Sequence, residues 1–565
     1  MGAILDSRGQ PFALPQRGRA RAGVPGPDGT TLLSGMPGTL FPYEASSWST
    51  QEMGNWLPVI RSPDAEINWF RDRMVARSRD QVRNSGWASG GIQRILDNTV
   101  GTHLRLTATP DYRALAQRFR GVKFDSAWAE EFRQAAEARW RGFSESYGRW
   151  CDDTRQLTIG QMFRLGMRHK LVDGESITVT YWRPERVAPG RAEYATAFRL
   201  VDPDRVSNPY QMLDTKHMRG GVELDDNGMP IALHFRKAEQ NDWYNALESN
   251  TWERVEIEDE DGWRRIFHDF ERDRTDQHRG LGVFTSVINH MRMLSTYYGV
   301  ELQAATIASQ FGTYVTSPYD PALVQDALGG EGESELPLYQ SLRAEWAKER
   351  PALFSGARIP TLAPGESIEA VSSQHPHGNF SAFAHEMLCV FAAATGVSVE
   401  QITQDWSKTN YSSARAALME TWKTLMRRRA DFCINTATPM YCSWLWEAMD
   451  NNELPLPTGA PPFAYAATSY GRARWLGPAR GWVDPVKEPE GAVVRMKSGT
   501  STLELEGAEQ GVDWEEVLAQ RVIERDAYER AGIELPDWVM RPDQTEASPD
   551  PEGSHDPNSK NYRSG

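Results

Sequence analysis

The stretch that decides the fold runs from Gly378 to Arg429 and reads GNFSAFAHEMLCVFAAATGVSVEQITQDWSKTNYSSARAALMETWKTLMRRR. Apolar residues at helical spacing in its first part predict a helix with one apolar face: Phe380, Phe383, Met387, Leu388 and Phe391. Gly396 follows, where a glycine can take the left-handed conformation that ends a helix. The segment 404–410, QDWSKTN, is polar and turn-prone apart from its tryptophan. The order predicted is helix, polar loop, helix.

The second helix of this stretch has an apolar side and a basic end. Ser412 or Ser413 is its expected N-cap, because a hydroxyl accepts hydrogen bonds from free helix amides. One side carries Leu418, Trp422, Leu425 and Met426, and the charged part ends with the run 427–429, RRR. The two helices flank a polar tip that no local apolar surface covers. An ordinary helical hairpin also satisfies this pattern, so a function for the tip needs further support.

The composition sets the class of protein. With 565 residues the chain exceeds what one core usually supports, so we expect two to four domains. Residues are 40% hydrophobic and 25% charged, as in soluble proteins, and twenty tryptophans suggest large flat packing surfaces inside or between subunits. The most apolar uncharged run, 387–399, is too short to cross a bilayer, and no secretory signal pattern is visible.

The formal net charge is -15. A protein that grips DNA usually displays a basic surface, because neutralising phosphates releases counterions and supplies most of the affinity. This chain therefore either does not bind nucleic acid or contacts DNA without binding it tightly.

Motifs for catalysis, metal binding and cofactors are missing from the sequence. The four cysteines, Cys151, Cys389, Cys433 and Cys442, show no Cys-x-x-Cys spacing, so we expect buried free thiols in a reducing compartment. No phosphate-binding loop or Gly-x-Ser-x-Gly is present. His385-Glu386 lacks the second zincin histidine, and His375 and His377 have no third ligand. We therefore predict no catalytic residue, no metal site and no cofactor.

The remaining pattern predicts an α+β fold. Gly86 and Gly90-Gly91 are expected to break a helical region into two helices, and Asp225–Gly228 and Asp261-Gly262 each predict a hairpin turn. A long helix is expected from about Val283 to Phe311, roughly 40 Å at the standard rise. Another is expected over Trp514 to Ala531, with Gly532 as its stop. Residues 1–55 have the composition of a loose arm and 541–565 that of a disordered tail.

Four segments together resemble a known family. They are RNSGWA at 83–88, running into Ile92 and Val100-Gly101; FRLVDPDRVSNP at 198–209; GVS at 396–398 through NYSSAR at 410–415; and WLG at 475–477, followed by DPVKE at 484–488. Their order and spacing, spread over about residues 60 to 530, are similar to the portal proteins of tailed double-stranded DNA phages, of the lambda type.

This resemblance implies a multi-domain, ring-forming portal fold. The ring, usually of twelve subunits, would sit at one capsid vertex, with DNA passing through its centre during packaging and ejection. The family order implies these domains: a flexible arm at 1–55, a wing at 56–278, a stem helix at 279–312, a clip at 313–368, a second stem helix at 369–400 (its helix 380–395), a tunnel loop at 401–412, a long helix and wing return at 413–489, a crown at 490–540 and a disordered tail at 541–565.

The resemblance also places the polar tip against DNA. The implied DNA-facing residues are Gln404, Asp405, Ser407, Lys408, Thr409 and Asn410. Lys408 is the only cation of the tip, while its neutral side chains offer hydrogen bonds. An acidic wall with scattered cations would let a polyanion slide, because a strongly basic wall would hold it.

Implied partners follow from the same resemblance. They are further copies of the chain in a homo-oligomer, the terminase large subunit on the clip, the major capsid protein, a head–tail adaptor and the DNA in the channel, with no membrane. The implied location is the capsid portal vertex of the virion, and the host cytoplasm during assembly. Because copies of charge -15 repel one another, ring contacts would have to be apolar, and the tryptophans are candidates for them.

Two other functions remain open on the residues alone. One is an acidic, tryptophan-rich cytosolic hydrolase acting on carbohydrate. The other is a different head–tail structural protein, which the length disfavours because adaptors and stoppers are usually much shorter. The mass in solution separates the enzyme from the ring, since a ring is many times heavier than the 63.7 kDa chain.

Overall fold

The structure, a computed structural model, describes residues 55–310, 313–316, 352–354, 357–359, 367–370, 380–407, 409–479 and 486–534. It has two units, which part between Glu66 and Ile67. The expected arm 1–55 except Asn55, the tail 541–565, Lys408, and the expected clip 313–368 apart from short strands lie outside the described residues, as do His375 and His377. No helix in the described ranges is long and apolar enough to cross a membrane.

The described chain is a mixture of helices and small antiparallel sheets. The helices are α1 (Pro63–Ile67), α2 (Arg71–Asn84), α3 (Gly86–Thr99), α4 (Tyr112–Arg118), α5 (Ser126–Ser144), α6 (Ile159–Val172), α7 (Ile288–Gln310), α8 (Phe380–Thr395), α9 (Val399–Thr403), α10 (Tyr411–Phe432), α11 (Thr438–Asp450), α12 (Ala467–Tyr470), α13 (Lys487–Lys497), α14 (Leu503–Glu509) and α15 (Trp514–Ala531).

The strands form five sheets within these ranges. They are β1 (Arg105–Ala108), β2 (Glu175–Trp182), β3 (Thr196–Val201), β4 (Met218–Arg219), β5 (Val222–Leu224), β6 (Pro230–Arg236), β7 (Trp252–Glu256), β8 (Ile266–Phe270), β9 (Thr313–Thr316), β10 (Ala352–Phe354), β11 (Ala357–Ile359), β12 (Ser367–Ala370) and β13 (Ala473–Leu476). The sheet orders are β3-β2-β8, β4-β5-β6-β7, β1-β13, β10-β11 and β9-β12.

Both predicted hairpin turns are present, and the second closes only a short hairpin. Asp225–Gly228 joins β5 to β6, which pair directly. At Asp261-Gly262 the chain turns, and Glu258 pairs with Arg264 in antiparallel fashion. The Asp259 amide donates to the Trp263 carbonyl over 3.0 Å, and the Arg265 amide donates to the Ile257 carbonyl over 2.7 Å. Beyond these residues β7 joins β6 and β8 joins β2, so the two arms continue into different sheets.

Side chains of helices α5 and α11 form the centre of the larger hydrophobic core. Trp140 lies 5.3 Å from Trp444 and 6.1 Å from Trp475, measured between ring centroids. The Trp444 side chain is fully buried, and the Trp475 indole N–H donates to the Thr438 hydroxyl over 3.0 Å. Trp140 and Trp444 are buried and supply packing inside the chain, whereas Trp475 is half-buried.

A buried charge cluster ties the helices to the β3-β2-β8 sheet. The Glu175 carboxylate is fully buried and accepts from Arg71, at 2.8 Å, and from the Arg279 Nε at 2.9 Å. Burial alone would raise the pKa of Glu175, but the Arg279 and Arg71 guanidiniums hold it well below its usual range. Two arginines of α2 thus have acidic partners in the chain, Arg71 with Glu175 and Arg79 with Asp173.

Two predicted helix boundaries need correction. The break between α2 and α3 falls at Ser85, whereas Gly90-Gly91 lies inside α3. A Cβ on Gly91 would come within 3.0 Å of the Phe391 ring, so this glycine serves close helix packing and not a break. The long helix α7 begins at Ile288, five residues later than expected, because residues 283–287 form turns. Phe311, its expected end, lies outside the described residues.

Helices α10 and α11 form one long rod of about 60 Å. Between them Cys433–Ala437 forms a turn of π-helix, which the sequence analysis did not predict. The Asn435 amide in this turn donates to the Asp269 carboxylate of β8 over 2.9 Å. The rod is therefore fixed to the β3-β2-β8 sheet at its irregular turn.

Candidate functional site

The polar loop between α8 and α10 contains a short helix of its own. Ser398 and Gln401 form a capping box, in which each side chain accepts from the other's backbone amide. The box starts α9, so 401–403, predicted as loop, are helical. Gln404 closes α9 in the left-handed conformation, at φ 58°. The irregular part of the predicted loop 401–412 is therefore limited to 404–410.

The tip itself is exposed and is shaped by local hydrogen bonds. The Asp405 carboxylate accepts from the Ser407 amide over 3.0 Å, and the Thr409 amide donates to the Trp406 carbonyl over 3.2 Å. Four of the predicted site residues, Gln404, Asp405, Ser407 and Asn410, are exposed and Thr409 is half-buried, while Lys408 lies outside the described residues. Trp406, absent from the predicted set, is 37% exposed. The tip offers solvent a carboxylate, hydroxyls, amides and one aromatic ring.

The cap of α10 differs from the prediction. The helix begins at Tyr411, and its N-cap is Asn410, whose side-chain oxygen accepts from the Ser413 amide over 2.8 Å. Ser412 and Ser413 are inside the first turn, so neither is the cap. Asn410 is thus the last residue of the tip and the start of the rod.

The root of the loop, in contrast, belongs to the core. Val397 and Ile402 are 5% and 6% exposed, and α9 packs against α3. Gly396 has φ +72°, and a Cβ there would lie 2.8 Å from the Thr424 methyl group of α10. Both the backbone angle and the close approach require a glycine at this position.

Two arginines of the run 427–429 are buried. The Arg428 guanidinium donates to the Thr395 carbonyl, at the end of α8, over 2.7 Å. Arg429 donates to the carbonyls of Thr99 at 2.8 Å, Asn98 at 2.7 Å and Pro478 at 3.0 Å. Burial lowers the pKa of both arginines.

These contacts bind three elements together. Carbonyls at a helix C-terminus lack partners in their own helix and carry partial negative charge, so a cation there is doubly favourable. Arg428 and Arg429 therefore fix the ends of α8 and α3 to α10. Both are positioning residues for the loop, and the sequence analysis missed them because an RRR run usually lies in solvent.

Helix α8 also packs through aromatic rings along α7 and the turn that precedes it. The rings of Phe284 and Phe391 stack at 5.5 Å, and those of Tyr297 and Phe380 at 5.3 Å. Phe383 meets Tyr297 edge to face at 5.1 Å. The loop therefore projects from one end of a rigid helix pair.

Metal ligands and thiols are the remaining chemical groups of interest. The part of the chain that the structure describes holds no group of three or more metal-ligating side chains. All four cysteines are free; Cys151 and Cys433 are buried as predicted, whereas Cys389 and Cys442 are half-buried. Burial raises the pKa of Cys151, Cys433 and Cys442 to about 12, so these thiols are protonated and unreactive near neutral pH.

Several known proteins are similar to this chain. The portal protein of Escherichia phage N15 is 32% identical over 519 residues, covering 91% of this chain and 94% of that protein. Portal protein B of Escherichia phage lambda is 31% identical over 519 residues, with the same coverage. Among solved structures, a chain from the virion of a native gene transfer agent particle covers 78% of this chain and 93% of its own, with 13% identity and a TM-score of 0.38.

The profile of one protein family also covers most of the chain. It is described as phage portal protein, lambda family, and matches residues 49–429, which include the hairpin and its loop. With this match and the two phage relatives, the chain belongs to the lambda family of phage portal proteins.

Proposed function

We propose that copies of this chain close into a ring, of about twelve subunits, at one vertex of a phage capsid, and that viral DNA enters and leaves through it. The family match over residues 49–429 carries this proposal. The ring would be the head–tail connector of the particle.

The domain order implied by the resemblance remains part of this proposal. It assigns the wing to 56–278, the two stem helices to α7 and α8, the clip to 313–368 and the crown to 490–540. The antiparallel pairing of β9 with β12 is compatible with the clip assignment, because it brings the two ends of that segment together.

In this scheme the exposed tip 404–410 faces the DNA. A tip that touches moving DNA must resist displacement, and the buried root supplies that resistance. Val397, Ile402 and the Arg428 contact hold the root, while the tip itself buries almost nothing.

The proposed stem helices would give the DNA channel a nearly uncharged wall and not the acidic wall that we first expected. Apart from histidines, α7 and α8 carry only Arg292, Glu301 and Glu386 as ionisable side chains that are charged at neutral pH. A near-neutral wall releases few counterions and so holds phosphates weakly, which is the condition for sliding.

Contacts between copies need apolar surface, and these helices expose it. Met293, Val300 and Leu302 on α7 are 56–70% exposed, and Phe383 and Val390 on α8 are 43% and 41% exposed. A neighbouring copy would cover these side chains. They join the exposed tryptophans, among them Trp182 and Trp243 at 53% and 91% exposure, as candidates for these contacts.

The further partners and the location are also part of the proposal. We assign the terminase large subunit to the clip, and the major capsid protein and a head–tail adaptor to other faces of the ring. The protein would assemble in the host cytoplasm and remain at the portal vertex of the virion. Its role is structural, with the hydrolysis that drives packaging left to the terminase. No observation favours the alternative of a carbohydrate hydrolase.

Light scattering after size exclusion tests the ring. The expected mass is about twelve times 63.7 kDa, and negative-stain images should show a central hole. A monomer under assembly conditions would refute the proposal. The loop placement is tested separately by Lys408→Glu, which should leave rings intact and impair DNA packaging; a variant that forms no rings would contradict the placement.

A further inference from the structure

Helices α2 and α6 pack side by side and leave a groove between them, with a volume of about 380 Å³. Its apolar floor includes Val82 and Val172, both buried. Arg79 and Arg83 line it from α2, and Arg168 and His169 line it from α6. The groove thus gathers three arginines and an imidazole in a chain whose net charge is -15.

Arg79 is fully engaged by carboxylates of its own chain. It donates to Asp173 at 2.7 Å, to Asp204 at 2.7 Å and to Asp202 at 2.8 Å. Asp173 and Asp202 also line the groove, and their ion pairs with Arg79 offset much of their negative charge. Arg79 therefore orders the groove and is not available to a ligand.

Arg83 and Arg168 are different. Neither has a hydrogen bond or an ion pair with any other residue in the described ranges. Arg83 is exposed and Arg168 is half-buried, and they approach the groove from opposite helices. Two guanidiniums on facing walls can each direct a pair of N–H groups at one bound anion.

His169 adds a buried nitrogen that lacks a partner. Its Nδ1 is inaccessible to solvent and has no hydrogen bond among the described residues. Burial lowers the pKa of His169, so the imidazole is neutral near pH 7 and can donate one N–H without adding charge. Because solvent cannot reach Nδ1, a ligand in the groove would accept its hydrogen bond from the other ring nitrogen, Nε2.

A ligand for this groove must therefore accept hydrogen bonds and carry negative charge. A phosphate group fits better than a carboxylate, because its charge approaches two at neutral pH and it offers three terminal oxygens to two arginines. Free phosphate presents this chemistry in full, and a nucleic-acid backbone presents a weaker form of it, since each phosphodiester has one negative charge and two terminal oxygens.

We propose that the groove between α2 and α6 is a phosphate-binding site, in which Arg83 and Arg168 hold the anion and His169 completes its hydrogen bonds. This site is separate from the loop 404–410 and does not depend on the ring.

The test is calorimetric titration of the full-length chain with inorganic phosphate at low ionic strength. We expect one phosphate per chain, bound at least about tenfold more weakly by the double variant Arg83→Ala/Arg168→Ala. Arg77→Ala is the matched control, since Arg77 is an exposed arginine of α2 outside the groove, and it should bind as the unaltered protein does. Arg83→Lys/Arg168→Lys keeps the charge but loses the planar guanidinium, and should fall between the two.

Two further measurements identify the source of the phosphate. A short DNA duplex that displaces phosphate, and binds the double alanine variant more weakly, would support a backbone phosphate as the natural ligand. Phosphate binding without competition by duplex would support a free phosphate. Equal phosphate affinity in the unaltered protein and the double alanine variant would overturn the site, as would acetate binding as tightly as phosphate, which would indicate a carboxylate site.

Discussion

The root and the tip of the α8–α10 hairpin lie within a few residues of each other, yet they are built by opposite means. The root consists of buried side chains and of arginines that hydrogen-bond helix-end carbonyls. The tip 404–410 is exposed and held by a few short-range hydrogen bonds. The residues of the root therefore determine the stability of the hairpin. The residues of the tip contribute little to stability, so their identity can be set by what the tip contacts.

Three consecutive arginines show how strongly burial changes the role of one residue type. Arg427 is about half exposed and pairs with Glu271 and Asp431 at the surface. Arg428 is buried with one carbonyl partner, and Arg429 is buried with three. The same side chain should therefore have three different effects on stability within one helical turn.

The largest expected effect comes from Arg429→Ala. It removes the partner of three carbonyls and opens a cavity, so we expect a loss of about 3 kcal/mol or more in the free energy of unfolding. Arg428→Ala should cost about 1–3 kcal/mol and Arg427→Ala less than about 1 kcal/mol, because exposed ion pairs contribute little. Urea denaturation monitored by circular dichroism measures all three, and equal effects would contradict the contrast.

The second effect comes from the hinge at Gly396. Gly396→Ala places a Cβ 2.8 Å from the Thr424 methyl group on a backbone with φ +72°, and should cost about 2 kcal/mol. The matched control is Gly299→Ala in α7, where nothing lies within 4 Å of the new Cβ. That change should stabilise the helix by up to about 1 kcal/mol. If both variants lose stability alike, the root is not sterically constrained.

Much of the hairpin could be predicted from sequence because its signals are local. Apolar residues at helical spacing predicted α8, and its bounds match the 380–395 that the resemblance implied. The glycine stop gave the end of α15 at Ala531, with Gly532 left-handed at φ 67°. Helix α9 also had a local signal, the Ser398–Gln401 capping box, which the sequence analysis overlooked.

Other features depended on tertiary contacts that no local pattern records. Burial of Arg428 and Arg429 follows from where α3 and α8 end in space, more than thirty residues away along the chain. The Asn410 cap was missed because asparagine and serine cap equally well, and only the backbone geometry separates them. The role of the tip came from the family resemblance and stays a prediction.

A third, smaller effect concerns the boundary between tip and rod. Asn410→Ala removes the oxygen that accepts from the Ser413 amide, and should cost about 1 kcal/mol. Asn410→Asp keeps an acceptor and adds a favourable charge at the helix N-terminus, so it should cost almost nothing. Thermal unfolding of both variants measures this, and an equal loss in the two would mean that Asn410 does not act as a cap.

The smallest effect on stability should come from the tip, together with the largest change in function. Asp405 is exposed, so Asp405→Lys should alter the free energy of unfolding by less than about 0.5 kcal/mol and leave rings intact. In the proposed ring the substitution changes the charge of each tip by +2. The tips together should then bind phosphates and slow the passage of DNA. The measurement is the rate of DNA packaging into capsids, and raised salt should partly restore it because screening weakens the new attraction. Asp405→Asn is the control, because it keeps the acceptor for the Ser407 amide and removes the negative charge without adding a positive one. It separates the effect on packaging of losing the carboxylate from that of gaining a cation. Unchanged packaging in rings of Asp405→Lys would mean that the tip does not face the DNA.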